Sequence, residues 1–279
     1  MGGVEFLKGH GTQNDFVLLP DVAGTLELTE ARVRALCDRR RGLGADGVLR
    51  VVPGSHFGSD AEWFMDYRNA DGSIAEMCGN GVRVFVRYLV EAGLAKPGEF
   101  SIGTRAGLRR VDAPVDDPAG TVTVEMGEAR VFGESTATVD GLVLPGTAVD
   151  VGNPHLVCAL DDTDLDLARL DLSTAPGHDP IVFPHGVNVE FTTTMGQDAL
   201  RMRVHERGVG ETRSCGTGTV AAVAAALHRA GRTTAEVAVH VPGGTVVVAI
   251  DAGQATLTGP AVLVATGELS PRWWAEANA

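Results

Sequence analysis

Two short segments place a cysteine where it is suited to proton transfer. Each reads Cys-Gly-x-Gly and precedes a run with helical apolar spacing; they are Met77–Gly81 and Ser214–Gly218. A cysteine at the start of a helix lies among backbone N–H groups that lack helical partners, beside the positive end of the helix dipole. This position favours thiolate over thiol. We therefore predict that Cys78 and Cys215 transfer protons.

Inverting a carbon that carries hydrogen requires one group to remove a proton and another to return one to the opposite face. Two cysteines can supply both groups, because thiolate and thiol coexist near neutral pH when the usual pKa of about 8.5 is lowered. The chain has two lysines, Lys8 and Lys96, neither in a phosphate-binding context, so we expect no pyridoxal cofactor. No C-x-x-C pair is present, and we expect no metal.

The two segments belong to a longer internal repeat. A shift of 137 residues aligns Cys78 with Cys215 and Gly107 with Gly244. Both copies read strand, polar loop, Cys-Gly helix, glycine turn and two strands, which predicts two pseudo-symmetric lobes. No alternation of the strand-helix-strand kind is evident. We therefore expect an α/β fold of the α+β type, each lobe a mostly antiparallel curved sheet or barrel around a central helix.

The predicted elements define the lobes. Three helices follow from apolar spacing and end residues: Thr29–Arg40, the run after Cys78 up to Gly93, and the run after Cys215 up to Gly231. The segment Asp112–Gly120 is the best linker candidate because it contains two prolines and three aspartates. With the last strand returning to the first lobe, we predict domains of residues 1–118 with 262–279, carrying Cys78, and residues 119–261, carrying Cys215. Cys37 and Cys158 are predicted core residues.

Composition excludes several classes of partner. The 279 residues are 44% hydrophobic and 21% charged, as in globular proteins, with a formal net charge of −13. Such a charge argues against nucleic acid and anionic membranes, which need clustered basic residues. No apolar run approaches the roughly 18 residues of a spanning helix. We expect a cytoplasmic protein with reduced cysteines and a small-molecule substrate.

The motifs together resemble those of the diaminopimelate epimerase family, in order and over nearly the whole chain. Five segments carry the resemblance: Lys8–Phe16, Asn69–Gly81, Val151–His155, Val187–Val189 and Glu206–Gly218. The resemblance implies a pyridoxal-independent enzyme that interconverts LL- and meso-2,6-diaminopimelate in lysine and peptidoglycan precursor synthesis. It also implies the two-lobed fold, and a homodimer by family likeness alone.

The resemblance also assigns roles to individual residues. Cys78 and Cys215 are the proton-transfer pair. Matches to the family's substrate-binding side chains are Asn14, Asn69, Asn153, Asn188, Glu206 and Arg207. Backbone N–H groups are expected from Gly79, Asn80, Gly216 and Thr217, and His155 is a supporting residue. Many relatives carry glutamine where this chain has Gly47, so any side-chain contact there is absent.

Two alternatives differ in chemistry. A proline or hydroxyproline racemase resembles this fold and also uses two cysteines, but its first motif favours histidine where this chain has Asn80. Its cyclic monocarboxylate substrate would also leave Arg207 without a distal group to bind. The second alternative is a non-enzymatic thiol switch, in which Cys78 and Cys215 form a disulfide.

Overall fold

The structure is a computed structural model that describes residues 3–114, 117 and 120–278. Within these residues the helices are α1 (Glu30–Cys37), α2 (Gly79–Glu91), α3 (Gly216–Arg229) and α4 (Pro271–Glu276). The strands are β1 (Val4–Gly11), β2 (Asn14–Pro20), β3 (Gly47–Pro53), β4 (Trp63–Asn69), β5 (Gly98–Thr104), β6 (Gly107–Ala113), β7 (Thr121–Glu128), β8 (Arg130–Val139), β9 (Leu142–Asp150), β10 (Pro154–Ala159), β11 (Gly177–His178), β12 (Asn188–Thr194), β13 (Ala199–Glu206), β14 (Gly210–Thr212), β15 (Thr234–Val241), β16 (Gly244–Asp251), β17 (Gln254–Pro260) and β18 (Val262–Leu269). None of the helices in this described part of the chain has the length and apolar content required to cross a membrane.

The chain divides into two compact units. The first consists of Met1–Val124 with Pro260–Ala279, and the second of Glu125–Gly259. The domain limits predicted from sequence, residues 1–118 with 262–279 and residues 119–261, stay a prediction. The limit between residues 118 and 119, and part of the predicted linker around it, lie outside the described residues.

Helix α2 is the central helix of the first unit. Ten of its thirteen residues are buried, and it packs against β1, β2, β3, β4, β6 and β18. Apolar residues on most of its surface explain this position, because a helix that is apolar on every side must be buried. It is followed by Gly93 in the left-handed conformation, with φ +67°, as expected for a glycine that ends a helix.

Helix α3 has the same place in the second unit. Ten of its fourteen residues are buried, and it packs against β8, β9, β10, β12, β13, β15 and β16. Valine and alanine fill most of its sequence, and the small alanine side chains allow strands to approach closely. Gly231 follows it with φ +63°. The predicted central helix of each repeat is therefore confirmed.

The repeat is visible in the strand order. In the first unit β4 leads into α2 and then the antiparallel pair β5–β6; in the second, β13 leads through β14 into α3 and the antiparallel pair β15–β16. The strands on either side of each helix are parallel: β4 with β5, and β13 with β15. Helix α1 likewise connects the parallel strands β2 and β3.

The expectation that strand-helix-strand units are absent is therefore wrong. The polar loops between strand and helix conceal the alternation in the sequence, because the strand and helix signals are separated by a segment with neither period. The other half of the prediction is confirmed, since most of the remaining strand pairs are antiparallel, including β1 with β2 and β3 with β4.

Two helices differ from prediction. Helix α1 is capped by Thr29 as expected, but it ends at Cys37 instead of Arg40. The Asp38 carboxylate accepts the backbone N–H of Arg40 at 2.8 Å, which turns the chain out of the helix. Helix α4 is not predicted at all; its tryptophans pack on the core around α1 and β1–β3. Strand β18 pairs with β1, so the last strand returns to the first unit as predicted.

Strand β4 is held by a buried ion-pair network. Asp66 is fully buried and lies 2.7 Å from Arg105, 2.9 Å from Arg68 and 3.6 Å from Arg50. Arg50 also donates to Asp21 at 2.8 Å. Burial by itself raises the pKa of Asp66, but the hydrogen bonds from Arg68 and Arg105 outweigh it and lower the pKa. Asp66 is therefore a carboxylate that balances three cations.

We expect Asp66→Asn to lower the free energy of unfolding by about 3–5 kcal/mol at pH 7, because it removes the counter-charge of Arg68 and Arg105, which are both largely buried. Since the pKa of Asp66 is lowered in the folded chain, its stabilisation is present at neutral pH and is lost as the pH falls through the folded value. Urea unfolding of both proteins from pH 7 down to about pH 2 should show the difference shrinking below the ordinary aspartate pKa of about 3.9. As control, Glu30→Gln in the exposed pair with Arg34 should change stability by less than about 0.5 kcal/mol. Equal stability of the two variants would contradict the role of Asp66.

Candidate active site

Cys78 is the residue immediately before α2. Its backbone is extended, with φ −142° and ψ 119°, and the helix begins at Gly79. The Cys78 thiol donates to Asn14 Oδ1 at 3.6 Å, and Asn80 Nδ2 donates to the same oxygen at 3.2 Å. Three predicted site residues thus form one cluster, in which Cys78 is partly exposed and Asn80 is buried.

The turn between β1 and β2 brings Asn14 into this cluster. Its two central residues, Thr12 and Gln13, have φ +48° and +64°. Positive φ at both positions matches the twist of a two-residue hairpin, but it is strained for a β-branched residue. The Thr12 hydroxyl accepts from Arg83 Nη2 at 3.0 Å and donates to Asn80 Oδ1 at 3.5 Å. These hydrogen bonds hold the strained turn against α2.

Asp46 fixes the orientation of Asn14. One carboxylate oxygen accepts from Asn14 Nδ2 at 2.8 Å, and the other accepts from Arg39 Nη2 at 2.8 Å. Since the Asn14 amide nitrogen is bonded to Asp46, its carbonyl oxygen points to Cys78. Asp46 also connects this cluster to the turn after β4, because Ala70 N donates to the Asp46 carbonyl at 3.1 Å.

Asn69 begins that turn, and its Nδ2 donates to Ser73 Oγ at 3.0 Å. Across the β3–β4 pair it lies opposite Gly47. A Cβ atom at Gly47 would lie 2.6 Å from the Arg68 carbonyl oxygen and 2.7 Å from Tyr67 Cε2. A glutamine at this position would therefore require the backbone and the tyrosine ring to move, so this chain fills the space around Gly47 with Tyr67.

Cys215 occupies the equivalent position before α3, with φ −123° and ψ 117°. Gly218 N donates to its sulfur at 3.4 Å, and Thr217 Oγ1 lies 3.5 Å away. Burial, with the charges of Glu206 and Glu190, raises the pKa of this thiol well above its ordinary value. The prediction that the helix start favours the thiolate is therefore wrong for Cys215. The expected N–H contact is present, but desolvation beside two carboxylates outweighs it.

Glu206 lies at the end of β13, next to Cys215. Its Oε1 accepts from the Thr212 hydroxyl. Burial raises the pKa of Glu206, although hydrogen bonds from Thr212 and Cys215 oppose the rise. By accepting a hydrogen bond from the Cys215 thiol, Glu206 favours the protonated form of that sulfur.

His155 and Glu190 form a fully buried pair. His155 Nδ1 lies 2.6 Å from Glu190 Oε1, and its Nε2 lies 3.0 Å from Asn153 Oδ1. Burial raises the pKa of Glu190, while the charge and hydrogen bond of His155 oppose the rise. A Cβ atom on Gly218 would lie 2.7 Å from Glu190 Oε1 and 3.3 Å from Cys215 Sγ. The pair therefore stands directly behind the first turn of α3.

Asn188 and Arg207 are joined by a backbone contact. Asn188 Oδ1 accepts from Arg207 N at 2.8 Å, and Asn188 pairs with His155 between the parallel strands β10 and β12. The Arg207 side chain is exposed, with Nη1 donating to the His185 carbonyl at 3.1 Å. The remaining guanidinium donors of Arg207 point outward, where they can bind an anion.

Four residues that shape these clusters are missed by sequence reasoning: Thr12, Asp46, Arg83 and Glu190. Two of them could have been found in the sequence, because each is a charged residue at a position where the apolar spacing of its helix or strand predicts a buried apolar side chain. Arg83 stands between valines in α2, and Glu190 stands between Val189 and Phe191 in β12. No group of three or more His, Cys, Asp or Glu side chains is arranged as metal ligands in residues 3–114, 117 and 120–278.

Comparison with known proteins identifies the family. A family model described as Diaminopimelate epimerase matches residues 6–132 and 147–268. The chain belongs to the diaminopimelate epimerase family. Relatives in this family include the diaminopimelate epimerase of Rhodococcus opacus, 56% identical over 97% of this chain and 99% of that protein. The diaminopimelate epimerase of Mycolicibacterium smegmatis is 54% identical over 96% of this chain and 98% of that protein.

Solved structures share the fold of this family member at low sequence identity. A hydroxyproline epimerase from Agrobacterium vitis, solved with bound trans-4-OH-L-proline, has a TM-score of 0.70 at 17% identity, covering 98% of this chain and 94% of that one. A PhzF-family phenazine biosynthesis protein from Bacillus anthracis has a TM-score of 0.71 at 17% identity, covering 97% and 100%. The predicted fold class is therefore confirmed.

We expect Glu190→Gln to lower the pH at which Cys215 ionises by about one unit, because it removes a buried negative charge beside the thiol. The measurement is the ultraviolet absorbance of the thiolate during a pH titration, with Cys78→Ala present to remove the other site thiol. Cys37→Ala and Cys158→Ala are included as well, because burial raises the pKa of both thiols to about 12 and the charge of Glu190 also acts on Cys158. Glu211→Gln, whose carboxylate pairs with Arg203, should leave the curve in place. An unchanged curve in Glu190→Gln would refute this electrostatic role.

Proposed function

We propose that this chain is a diaminopimelate epimerase, an isomerase that interconverts LL- and meso-2,6-diaminopimelate without a cofactor, in the synthesis of lysine and peptidoglycan precursors. The observation that carries the proposal is the repeated cysteine, Cys78 and Cys215, each placed immediately before the buried helix of its unit. Family membership over nearly the whole chain supports the substrate.

The reaction needs one thiolate and one thiol. The thiolate removes the α-hydrogen as a proton, and the electron pair left on carbon spreads into the α-carboxylate. The thiol then donates its proton to the opposite face of the same carbon. Because the pKa of Cys215 is raised, Cys215 is proposed to be the protonated thiol at the start of the reaction in one direction, and Cys78 to be the base. Their roles exchange in the reverse direction.

Backbone N–H groups at the two helix starts are proposed to bind the reacting carboxylate. The first N–H groups bonded within the helices belong to Val82 and Thr219, which donate to the carbonyls of Cys78 and Cys215. The N–H groups of the preceding helical residues take no part in the helical ladder, and among them those of Gly79, Asn80, Gly216 and Thr217 are proposed to bind the carboxylate. Such groups stabilise the negative charge that develops as the α-carbon loses its proton.

Side chains are proposed to bind the remaining groups of the substrate. An arginine can bind a carboxylate with two parallel hydrogen bonds, and the exposed guanidinium of Arg207 suits this role. Amide side chains both donate and accept, so they can bind an amino group and a carboxylate at the distal centre. The proposed set is Asn14, Asn69, Asn153, Asn188, Glu206 and Arg207.

His155 is proposed to support the Cys215 half of the reaction. Its ring is fixed at both nitrogens, by Glu190 and by Asn153, a predicted substrate-binding residue. Lys8 is paired with Asp15, and Lys96 lies in the loop between α2 and β5; we infer that neither serves a pyridoxal cofactor. These observations support chemistry carried by the two thiols.

In D₂O with LL-diaminopimelate, we expect deuterium to enter at the inverted α-carbon as the meso isomer forms. Cys78→Ala and Cys215→Ala should each reduce kcat by at least about 10²-fold, since each removes one proton-transfer group. Proton NMR of the α-hydrogen and chiral chromatography measure exchange and inversion in the same sample.

Cys37→Ala is the matched control, because Cys37 is a buried residue of the core around α1. It should retain turnover under the same reducing conditions. Proline and hydroxyproline serve as comparison substrates; inversion of either in preference to diaminopimelate would favour the racemase alternative. No inversion of any substrate by reduced protein would favour a thiol switch.

A cytoplasmic homodimer is also proposed. No disulfide is present among the described residues, and we infer that the cysteines are kept reduced in a reducing compartment. Val262 and Val264 are exposed on β18, and neighbouring exposed apolar residues often mark an interface. Light scattering should give twice the chain mass of 29.1 kDa, and Val264→Lys should shift it toward the monomer. A monomeric wild-type mass would exclude this assembly.

A further inference from the structure

Arg83 is a buried cation in the first unit that the reaction described above does not use. It lies on α2, five residues after Cys78, a rise of about 7.5 Å along the helix axis. Its side chain is fully buried, and its neighbours in the sequence are Val82, Val84 and Phe85. A charge in such surroundings is strongly unfavourable unless a counter-charge is close by.

Arg83 has only neutral hydrogen-bond partners among the described residues. Nη2 donates to Thr12 Oγ1 at 3.0 Å, and Nε donates to the Pro260 carbonyl at 3.3 Å. Nη1 is buried and has no partner in the described part of the chain. By contrast, the buried Arg50 of the same unit contacts two carboxylates, Asp21 and Asp66.

One titratable group opposes the cost of this burial. Burial lowers the pKa of Arg83 to about 10, and among the described residues the negative charge of Cys78 is the one charge that raises it. No carboxylate from the strands packed against α2 acts on Arg83 in this way. The sulfur of Cys78, when ionised, is therefore its counter-charge.

A chain of hydrogen bonds connects the two side chains. Arg83 donates to Thr12, and Thr12 donates to Asn80. Asn80 and the Cys78 thiol both donate to Asn14 Oδ1. The contact with Asn14 favours the thiol form of Cys78, and the charge of Arg83 favours its thiolate form. A proton-transfer residue must be able to adopt both forms.

In the second repeat, the buried charges near the cysteine have the opposite sign. At the shift of 137 residues, Val220 stands where the first repeat has Arg83, and it is fully buried. Cys215 has the carboxylates Glu206 and Glu190 close by instead. The duplicated scaffold therefore surrounds one sulfur with a buried cation and the other with buried anions.

We propose that Arg83 is a positioning residue that stabilises the thiolate form of Cys78 and so sets which of the two cysteines is the base in the resting enzyme. This inference rests on the proposed two-thiol epimerase. Arg83 acts through Cys78 and through the strained Thr12 turn, and it does not itself contact the substrate.

The test is the pH dependence of Cys78 alkylation by iodoacetamide, measured by mass spectrometry in a Cys215→Ala background. Arg83→Met should raise the midpoint by about one pH unit, because it removes the cation at nearly constant size. Arg83→Lys retains the charge and should restore a midpoint close to that of the parent protein. Arg87→Met, on the same helix at a partly exposed position paired with Glu91, is the matched control and should leave the midpoint unchanged.

If Arg83→Met does not fold, the reciprocal measurement replaces it. Ionised Cys78 offsets the buried charge, so wild type should gain stability over Cys78→Ser above the unfolded thiol pKa of about 8.5. This gain should disappear as the pH falls through the folded value. Urea midpoints at pH 6 and pH 9 measure the difference.

An equal alkylation midpoint in folded Arg83→Met, or a stability difference independent of pH, would overturn the proposal. A shifted midpoint, together with a wild-type protein that inverts no diaminopimelate, would leave the charge relation intact and refute the epimerase function on which its purpose rests. Inversion of diaminopimelate by the wild-type protein, with an unshifted midpoint in Arg83→Met, would support the epimerase function and refute the charge relation.

Discussion

The extended cysteine that precedes a buried helix is the constraint on which both clusters depend. The backbone at Cys78 and Cys215 is outside the helix, while the next residue is already inside it. The Cys215 sulfur thereby accepts from the N–H of Gly218 in the first turn, and each helix is held in place because most of its residues are packed against strands. Precise placement of a reactive group follows from burial of the element behind it.

The two sulfurs differ because their surroundings differ, although their backbones match. Gly218 donates to Cys215 as a helix start should, yet buried carboxylates decide the charge state of that thiol. At neutral pH a local dipole is weaker than a full charge in a desolvated site. The two repeats thus provide equivalent backbone positions, and a few buried side chains that differ between them make the two sites chemically unequal.

Sequence reasoning predicted what depends on local pattern. The central helices, their capping cysteines and glycines, and the repeat follow from periodicity and residue type, which act over a few residues. The parallel pairing of β4 with β5, in contrast, depends on partners far along the chain. Helix α4 was missed because its two tryptophans are placed by a core formed from distant strands.

The same limit applies to the site. Cys78, Asn14 and Asn80 are predicted from motif types and lie together. Asp46 and Glu190 were missed because an isolated carboxylate in a sequence gives no indication of what it will face. Arg83 was missed because a single charge in an apolar helix is normally assigned to a solvated edge. Its full burial is a property of the packed unit.

The tight packing at the helix starts also limits how this protein can change. A methyl group at Gly11 would lie 2.9 Å from Arg83 Nη2 and 3.0 Å from the Asn80 carbonyl oxygen, and one at Gly218 would crowd Glu190 and Cys215. Substitutions at these two glycines would disturb the atoms around both cysteines, whereas an exposed side chain such as that of Arg207 can be replaced without such crowding. Engineering of a new substrate preference in this scaffold is therefore best begun at the exposed side chains, with both glycines retained.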